Sequence, residues 1–591
     1  MEIKSDYCIP IEDIENNFKV QAGPGAGKTY WLVNHIKNVL KNSKRLQKTR
    51  KIACITYTNI SVNTINERLG NYSEQVEVST IHSFLYSNVF KPYIRFIADR
   101  YELDFSKVKG HEDVKTNTKN VIDWMKLHSK EINSVYLYNK KETVGNWLKT
   151  LKYKFTDPED ELIMYCNNYY KVNAGIDMKD KAISKEKLYI LEQDLISYKK
   201  MYWREGIVSH DDILFFSYQL LKENPLILRV LNAKYPYFFI DEIQDTHPIQ
   251  LKIIEMIARN ETVVGLIGDK AQSIYSFQGT KYSQFEEIEL KNVRNYQIVG
   301  NRRSTKNIIN VLNSMRKDIQ QQAIRDIDGN KPIIIIGDKL EAIKKYNMYK
   351  LITLSRKNIT ANEIDASINL NSLNENLEQE HKKMDTTSER RHAMTYITLA
   401  IESAKKRDFK EALKYLDKID INRINKEKEL NAKKKLEYLK ILLDGYENYS
   451  NNSLKCLHEY INENLDNIRL ARLSISGNPN KFYDETKYKQ FVISLKSANE
   501  KSYSKTIHQS KGDEFENVML IKEINRDDDL DFLINPDLEN NEEHRVCYVA
   551  MSRAKDNLFI NISKSPKKKD IERLKDLFEI ENLNKIGEDE L

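Results

Sequence analysis

One stretch limits the fold of this chain more than any other: residues 18–36, FKVQAGPGAGKTYWLVNHI. Phe18 to Val20 is a short apolar run that reads as a strand, and Trp31, Leu32, Ile36 and Val39 then recur at helical spacing. Between them stand Gly23, Pro24, Gly25, Ala26, Gly27, Lys28 and Thr29. Strand, glycine-rich turn and helix in that order are the context a phosphate-binding loop requires. The glycines let successive backbone N–H groups curl around a phosphate, and the helix N-terminus adds its dipole. Lys28 is then placed to reach β/γ-phosphate oxygens and Thr29 to hold Mg²⁺. The first position of the motif is Ala22 rather than glycine.

A second stretch supplies the charge that such a loop needs. Residues 237–250 read YFFIDEIQDTHPIQ, an apolar run ending in adjacent acids. Asp241 is expected to bind Mg²⁺ through water and Glu242 to polarise the water that attacks the γ-phosphate. Bulk properties exclude several other classes. A chain of 591 residues exceeds a single core and divides into roughly three or four units. With 40% hydrophobic and 31% charged residues it is far from disorder. No run approaches the ~18 apolar residues of a membrane span, and residues 1–18 carry no secretory pattern. The five cysteines are scattered without a CxxC pair, which fits a reducing cytoplasm and argues against structural zinc or an iron–sulfur cluster. A cytoplasmic protein with no membrane partner is expected. The formal net charge of +7 permits an anionic partner without identifying one.

With both halves of a nucleotide site placed, the chain resembles superfamily 1 helicases of the UvrD/Rep/PcrA type, whose motifs it carries in order over nearly its whole length. ITYTNISVNTINERL (residues 55–69) is similar to the family's TFTNKAA motif, and the resemblance makes Tyr57 and Asn59 DNA contacts. STIHSF matches a second DNA-contacting motif through His82. SHDDILFFSYQLLKENP resembles the family's DFDDLL helix, its acids a cap and dipole partner over an apolar face of Ile213, Leu214, Phe216, Leu220 and Leu221. In DEIQDT, Gln244 resembles the glutamine that couples the γ-phosphate to the DNA side. VVGLIGDKAQSIYSFQG resembles GDDDQSIYxWRG, which implies Gln272 as γ-phosphate sensor and Tyr275 and Phe277 as rings stacked on single-stranded bases. VGNRRSTKNI resembles NYRST, with Arg303 as an arginine that reaches the transferred phosphate. TIHQSKGDEFENVML implies His508 as a DNA-phosphate contact and Glu514 as a ribose ligand. EEHRVCYVAMSRAKDNLFI implies Arg553 as a second arginine finger and Arg545 as an internal support.

Two departures fall on the nucleotide base. The family carries a glutamine upstream of the phosphate loop that reads the adenine edge, whereas the first glutamine here is Gln21, at the strand end. The family's base-stacking tyrosine is Arg302 here. A guanidinium can still stack on a purine, so ATP or another purine triphosphate with Mg²⁺ is the expected cofactor set, with relaxed base selection.

The resemblance implies an α/β fold of two RecA-like cores, each with a mostly helical insertion. The first core would be 1–85 and 207–285, interrupted by 86–206. The second would be 286–368 and 501–591, interrupted by 369–500. The implied activity is NTP-driven movement, 3′ to 5′, along single-stranded or partly duplex DNA, with separation of duplexes. Compact UvrD-like proteins encoded beside OLD-family nucleases in Gabija-type anti-phage systems are a second resemblance. That one implies a DNA-sensing NTPase that regulates a partner nuclease and unwinds little.

Overall fold

The computed structural model describes residues 2–3, 8–111, 116–128, 130–156, 161–166, 183–259, 261–276, 279–280, 282–365, 377–405, 407–419, 432–466, 468–475, 477–495, 503–522 and 530–585. The chain forms two compact units. The first comprises Met1–Arg303, Arg316–Asp326 and Asp537–Arg545, and the second Ser304–Met315, Ile327–Pro536 and Val546–Leu591.

In the first unit the described residues form a seven-stranded parallel sheet. Its strands are β1 (Glu2–Ile3), β2 (Phe18–Ala22), β3 (Ile52–Thr56), β4 (Val76–Thr80), β7 (Tyr237–Ile240), β8 (Val263–Gly268) and β9 (Arg294–Ile298). They lie in the order β1-β9-β2-β8-β7-β3-β4. β3, β7 and β8 are buried along their whole length, the pattern of parallel strands covered on both faces. On one face lies helix α1 (Lys28–Asn42), which buries Trp31, Leu32, Ile36 and Val39 as its spacing predicts. On the other lie the helices His210–Glu223 and Pro248–Ala258.

The helix at His210 begins with a reciprocal cap: Ser209 Oγ accepts from Asp212 N, and the Asp212 carboxylate accepts from Ser209 N. Asp212 does more than cap. It is fully buried, pairs with Lys199 at 2.7 Å and accepts from the Tyr153 hydroxyl, which ties the inserted segment to the core. That insertion has its own core, including Trp124, Trp147 and Leu188, and an antiparallel hairpin of β5 (Leu151–Phe155) and β6 (Leu162–Cys166).

The second unit holds a six-stranded parallel sheet among the described residues. Its strands are β10 (Ile333–Ile336), β11 (Ile352–Ser355), β12 (Ser504–Thr506), β13 (Phe515–Lys522), β14 (Ala554–Ile562) and β15 (Glu579–Asn582), in the order β12-β11-β13-β14-β10-β15. Described helices between Leu377 and Leu495 pack around a separate apolar core. Within them the helices Ser388–Lys405 and Phe409–Asp417 pack against each other.

The sequence division starts the second core at residue 286, and the structure differs. β9 pairs in parallel register with β1 and β2, burying Tyr296 and Ile298 against the same core as α1. The first unit therefore runs on to Arg303, so Arg303 lies on the unit that carries the phosphate loop rather than on the second core. No helix among the described residues is long and apolar enough to cross a membrane.

Candidate nucleotide and nucleic-acid site

β2 ends at the buried Ala22, and residues 23–27 turn the chain into α1. Gly25 sits at φ 68°, a left-handed conformation that only glycine adopts without strain. A Cβ there would also stand 2.5 Å from Asn301 Oδ1 and 2.7 Å from Arg303 Cβ. The segment after β9 is thus laid directly on the loop. Arg302 N donates to Gly25 O at 2.9 Å, and Arg303 N to Asn301 Oδ1 at 2.8 Å. Gln321 Nε2 donates to Pro24 O at 2.9 Å, and its Oε1 accepts from Asn301. Arg302 and Arg303 are therefore brought to the phosphate loop. Asn301 and Gln321, which sequence reasoning did not single out, brace it from behind.

The acids follow β7. Asp241 is 4% exposed, and its neighbour Glu242 adopts φ 55° and ψ 43°. A non-glycine residue in that region costs on the order of 1–3 kcal/mol and is held there by its surroundings. The turn aims Glu242 at Lys28 (3.8 Å), and the Thr29 hydroxyl beside Asp241 favours its charged form. Burial, then the adjacent Glu242 charge, pushes the Asp241 carboxyl well above the ordinary range. Such a pair of acids favours an added cation. A hydroxyl and a carboxylate are the hard oxygen donors that suit Mg²⁺, so the residues present fit that ion.

From Glu242 a hydrogen-bonded path leads away from the phosphate loop. Gln244 Nε2 donates to Glu242, while Gln244 Oε1 accepts from Asp269 N at 3.0 Å. Gly268 makes this possible, since a Cβ on it would come within 2.5 Å of that same oxygen. Gln272 Nε2 in turn donates to Asp269 Oδ2 at 2.7 Å. Ser273 Oγ donates to Gln244 O, and Arg545 Nε donates to Ser273 O at 2.6 Å, so Arg545 supports this turn from within the first unit.

Two residues further on, Tyr275 stacks on the exposed Tyr57, with ring centroids 5.5 Å apart and planes 27° from parallel. Asn59 is exposed in the first turn of helix α2 (Asn59–Leu69), which Thr58 caps. His82 stands beside His210 and His111, whose Nδ1 atoms are 2.7 Å apart. Burial, then these neighbours, lowers His82 to about 4, so its ring is neutral at neutral pH. Phe277 lies outside the described residues.

The remaining sequence-predicted residues belong to the second unit. His508 Nε2 lies 3.0 Å from Arg356 Nη1, and Glu514 pairs with Lys555 at 2.6 Å. The Arg553 guanidinium bonds Val549 O, Asp513 O and Ser552 Oγ.

A parallel sheet with a phosphate loop after one strand and paired acids after another defines a P-loop nucleotide-binding protein of the RecA-like class. Residues 7–292 match the UvrD/REP helicase N-terminal domain and residues 236–565 the UvrD-like helicase C-terminal domain, and the chain belongs to that helicase family. It is similar to the Gabija protein GajB of Bacillus cereus (strain HuB5-5), 28% identical over 337 residues, which cover 52% of this chain and 48% of that one. It is similar as well to the ATP-dependent DNA helicase Rep of Buchnera aphidicola subsp. Baizongia pistaciae, 25% identical over 59% of this chain and 48% of the relative. A probable DNA helicase II homolog of Mycoplasma capricolum subsp. capricolum is 24% identical over 94% of this chain and 83% of its own length. The chain thus spans about half the length of the first two relatives.

Proposed function

We propose that this chain is an NTP-driven translocase and helicase on single-stranded DNA, moving 3′ to 5′. The path from Glu242 through Gln244 and Asp269 to the turn that carries Tyr275 supports this reading most, because it joins the hydrolytic acid to a stacking pair without a break. In this reading Lys28 and the N–H groups of Gly23, Gly25, Ala26 and Gly27 bind the β/γ-phosphates, and Glu242 polarises the attacking water. Arg303 meets the transferred charge beside the loop, and Arg553 serves as a second arginine finger. Thr29 and Asp241 would hold Mg²⁺, which neutralises phosphate charge when bound. Gln272 senses the γ-phosphate, Gln244 relays its presence, and Tyr57 and Tyr275 stack on bases.

Asn59, His82 and His508 contact DNA, Phe277 extends the stack, and Glu514 binds the ribose. Insertions 86–206 and 369–500 are accessory subdomains in this scheme. Arg302 takes the purine face, so ATP and GTP are used with similar kcat/KM. A strong ATP preference would refute that point.

The test is steady-state NTP hydrolysis by the purified chain with and without single-stranded DNA, with Glu242→Gln as background. Strong DNA stimulation is expected. Full activity in Glu242→Gln would overturn the site assignment.

Similarity to the Gabija protein GajB favours a second reading, in which hydrolysis reports DNA ends to an OLD-family nuclease and unwinding is weak. A stable nuclease complex together with negligible strand separation would decide for it.

A further inference from the structure

Outside the residues so far assigned, a buried, multiply bonded arginine of the first unit stands against the strand that leads into the phosphate loop and the turn after β8. Arg316 is 3% exposed and bridges two carboxylates. Its Nη1 and Nη2 approach Asp269 Oδ2 and Oδ1 at 3.3 and 3.1 Å, and its Nε and Nη2 bond Asp318 at 2.8 and 2.9 Å. Each acid grips a different part of the site. Asp269 Oδ2 also accepts the Gln272 amide, and Asp269 Oδ1 accepts Ala271 N, so this carboxylate is bonded on both oxygens and cannot turn. Asp318 Oδ2 accepts from Gln21 Nε2 at 2.6 Å, on the strand that runs into the phosphate loop. Burial opposes ionisation of Asp318, but the Arg316 hydrogen bonds and charge outweigh it and hold the carboxyl below its usual range.

We infer that Arg316 is a positioning residue for the γ-phosphate sensor, joining Gln272 to the phosphate-loop strand through Asp269 and Asp318. The inference rests on the reading of Gln272 given above. In the arrangement seen here the Gln272 Nε2 donor is engaged with Asp269. To meet a γ-phosphate it must leave a fully buried carboxylate, and Arg316 supplies the charge that keeps Asp269 satisfied when it does. Without the arginine, Asp269 would hold the glutamine back. A lysine cannot replace it, because one ammonium cannot span both carboxylates as the planar fork does.

The experiment compares wild type, Arg316→Lys and Asp318→Asn for affinity toward AMP-PNP and ADP, for kcat with saturating single-stranded DNA, and for thermal midpoint. Arg316→Lys keeps a buried positive charge, and Asp318→Asn keeps the Arg316–Asp269 pair, so the second variant serves if the first fails to fold. In a folded Arg316→Lys the preference for AMP-PNP over ADP is expected to shrink about tenfold, the weight of one hydrogen bond to a charged group, with ADP affinity unchanged. kcat should fall about tenfold to a hundredfold, with KM for ATP rising alongside the lost triphosphate affinity. Asp318→Asn should move both quantities the same way by less. The inference is overturned if the triphosphate preference survives in the folded variants, or if ADP affinity falls in parallel with it, as a merely structural role predicts. A wild type that binds both nucleotides but does not hydrolyse ATP would refute the proposed function, while the affinity ratio would still decide the role of Arg316.

Discussion

Protonation of one histidine should weaken the helix that carries the phosphate loop. His35 lies in α1 and is fully buried, its ring stacked on Trp31 (5.3 Å, 16°) with its edge toward Phe18 (5.0 Å, 86°). Neither ring nitrogen has a hydrogen-bond partner among the described residues. Burial lowers its pKa from 6.5 to about 3. The native state therefore keeps it neutral, while the unfolded chain takes up a proton near pH 6.5. Because the unfolded state binds more protons between these values, stability is lost as pH falls from 6.5 toward 3 and is level below that. At pH 5 the loss from this group is RT ln(1 + 10^1.5), about 2 kcal/mol, and over the whole shift it approaches about 5 kcal/mol.

His35→Leu is close in volume, removes the proton and ends the burial of two unpaired nitrogens. At pH 7.5 the variant should be at least as stable as wild type, since an unsatisfied buried polar group costs about 1–3 kcal/mol. At pH 5 its advantage should widen by about 2 kcal/mol more. Urea unfolding followed by tryptophan emission at the two pH values measures both differences. His82, His247 and His381, each lowered to about 4, contribute equally to both proteins and cancel in the comparison. An equal loss between pH 7.5 and 5 in variant and wild type would refute the reasoning.

Other substitutions separate the steps of the proposed cycle. Lys28→Ala should abolish productive nucleotide binding, whereas Glu242→Gln should bind as wild type and lose hydrolysis by about 10²–10⁴-fold; equilibrium binding beside phosphate release measures both. Glu242→Gly should raise the thermal midpoint by relieving the φ 55° backbone, a gain of about 1 kcal/mol, while stopping hydrolysis, and a lower midpoint would count against stored strain. Tyr275→Ala and Tyr57→Ala should each weaken binding of a labelled oligothymidine by about 1–3 kcal/mol, with smaller than additive loss in the double variant because the two rings touch.

The sequence made the phosphate loop, the acids after β7 and the Gln244–Gln272 pair legible because each needs particular residue types at fixed short spacing. Helix and strand faces were legible for the same reason: Trp31, Leu32, Ile36 and Val39 mark the buried side of α1 by period alone. The boundary after residue 285 was not, because the placement of β9 depends on pairing with β1 and β2, and the pairing partners of a strand are not written in its own residues.

The bracing residues share that property. Gln321 meets Pro24 across 297 positions of chain, and Arg316 meets Asp269 across 47. Neither carries a local pattern that distinguishes it from a surface glutamine or arginine. Yet both touch parts the motifs did reveal, one the phosphate loop and the other the acid that bonds Gln272. Within the first unit, the motifs thus name the groups that would touch nucleotide and DNA. Two of the groups that brace those atoms, Arg316 and Gln321, come from the short segment Arg316–Asp326 of the same unit. Substitutions in that segment should therefore change the rate even where every motif residue is kept, because Arg316 and Gln321 bond Asp269 and Pro24 directly.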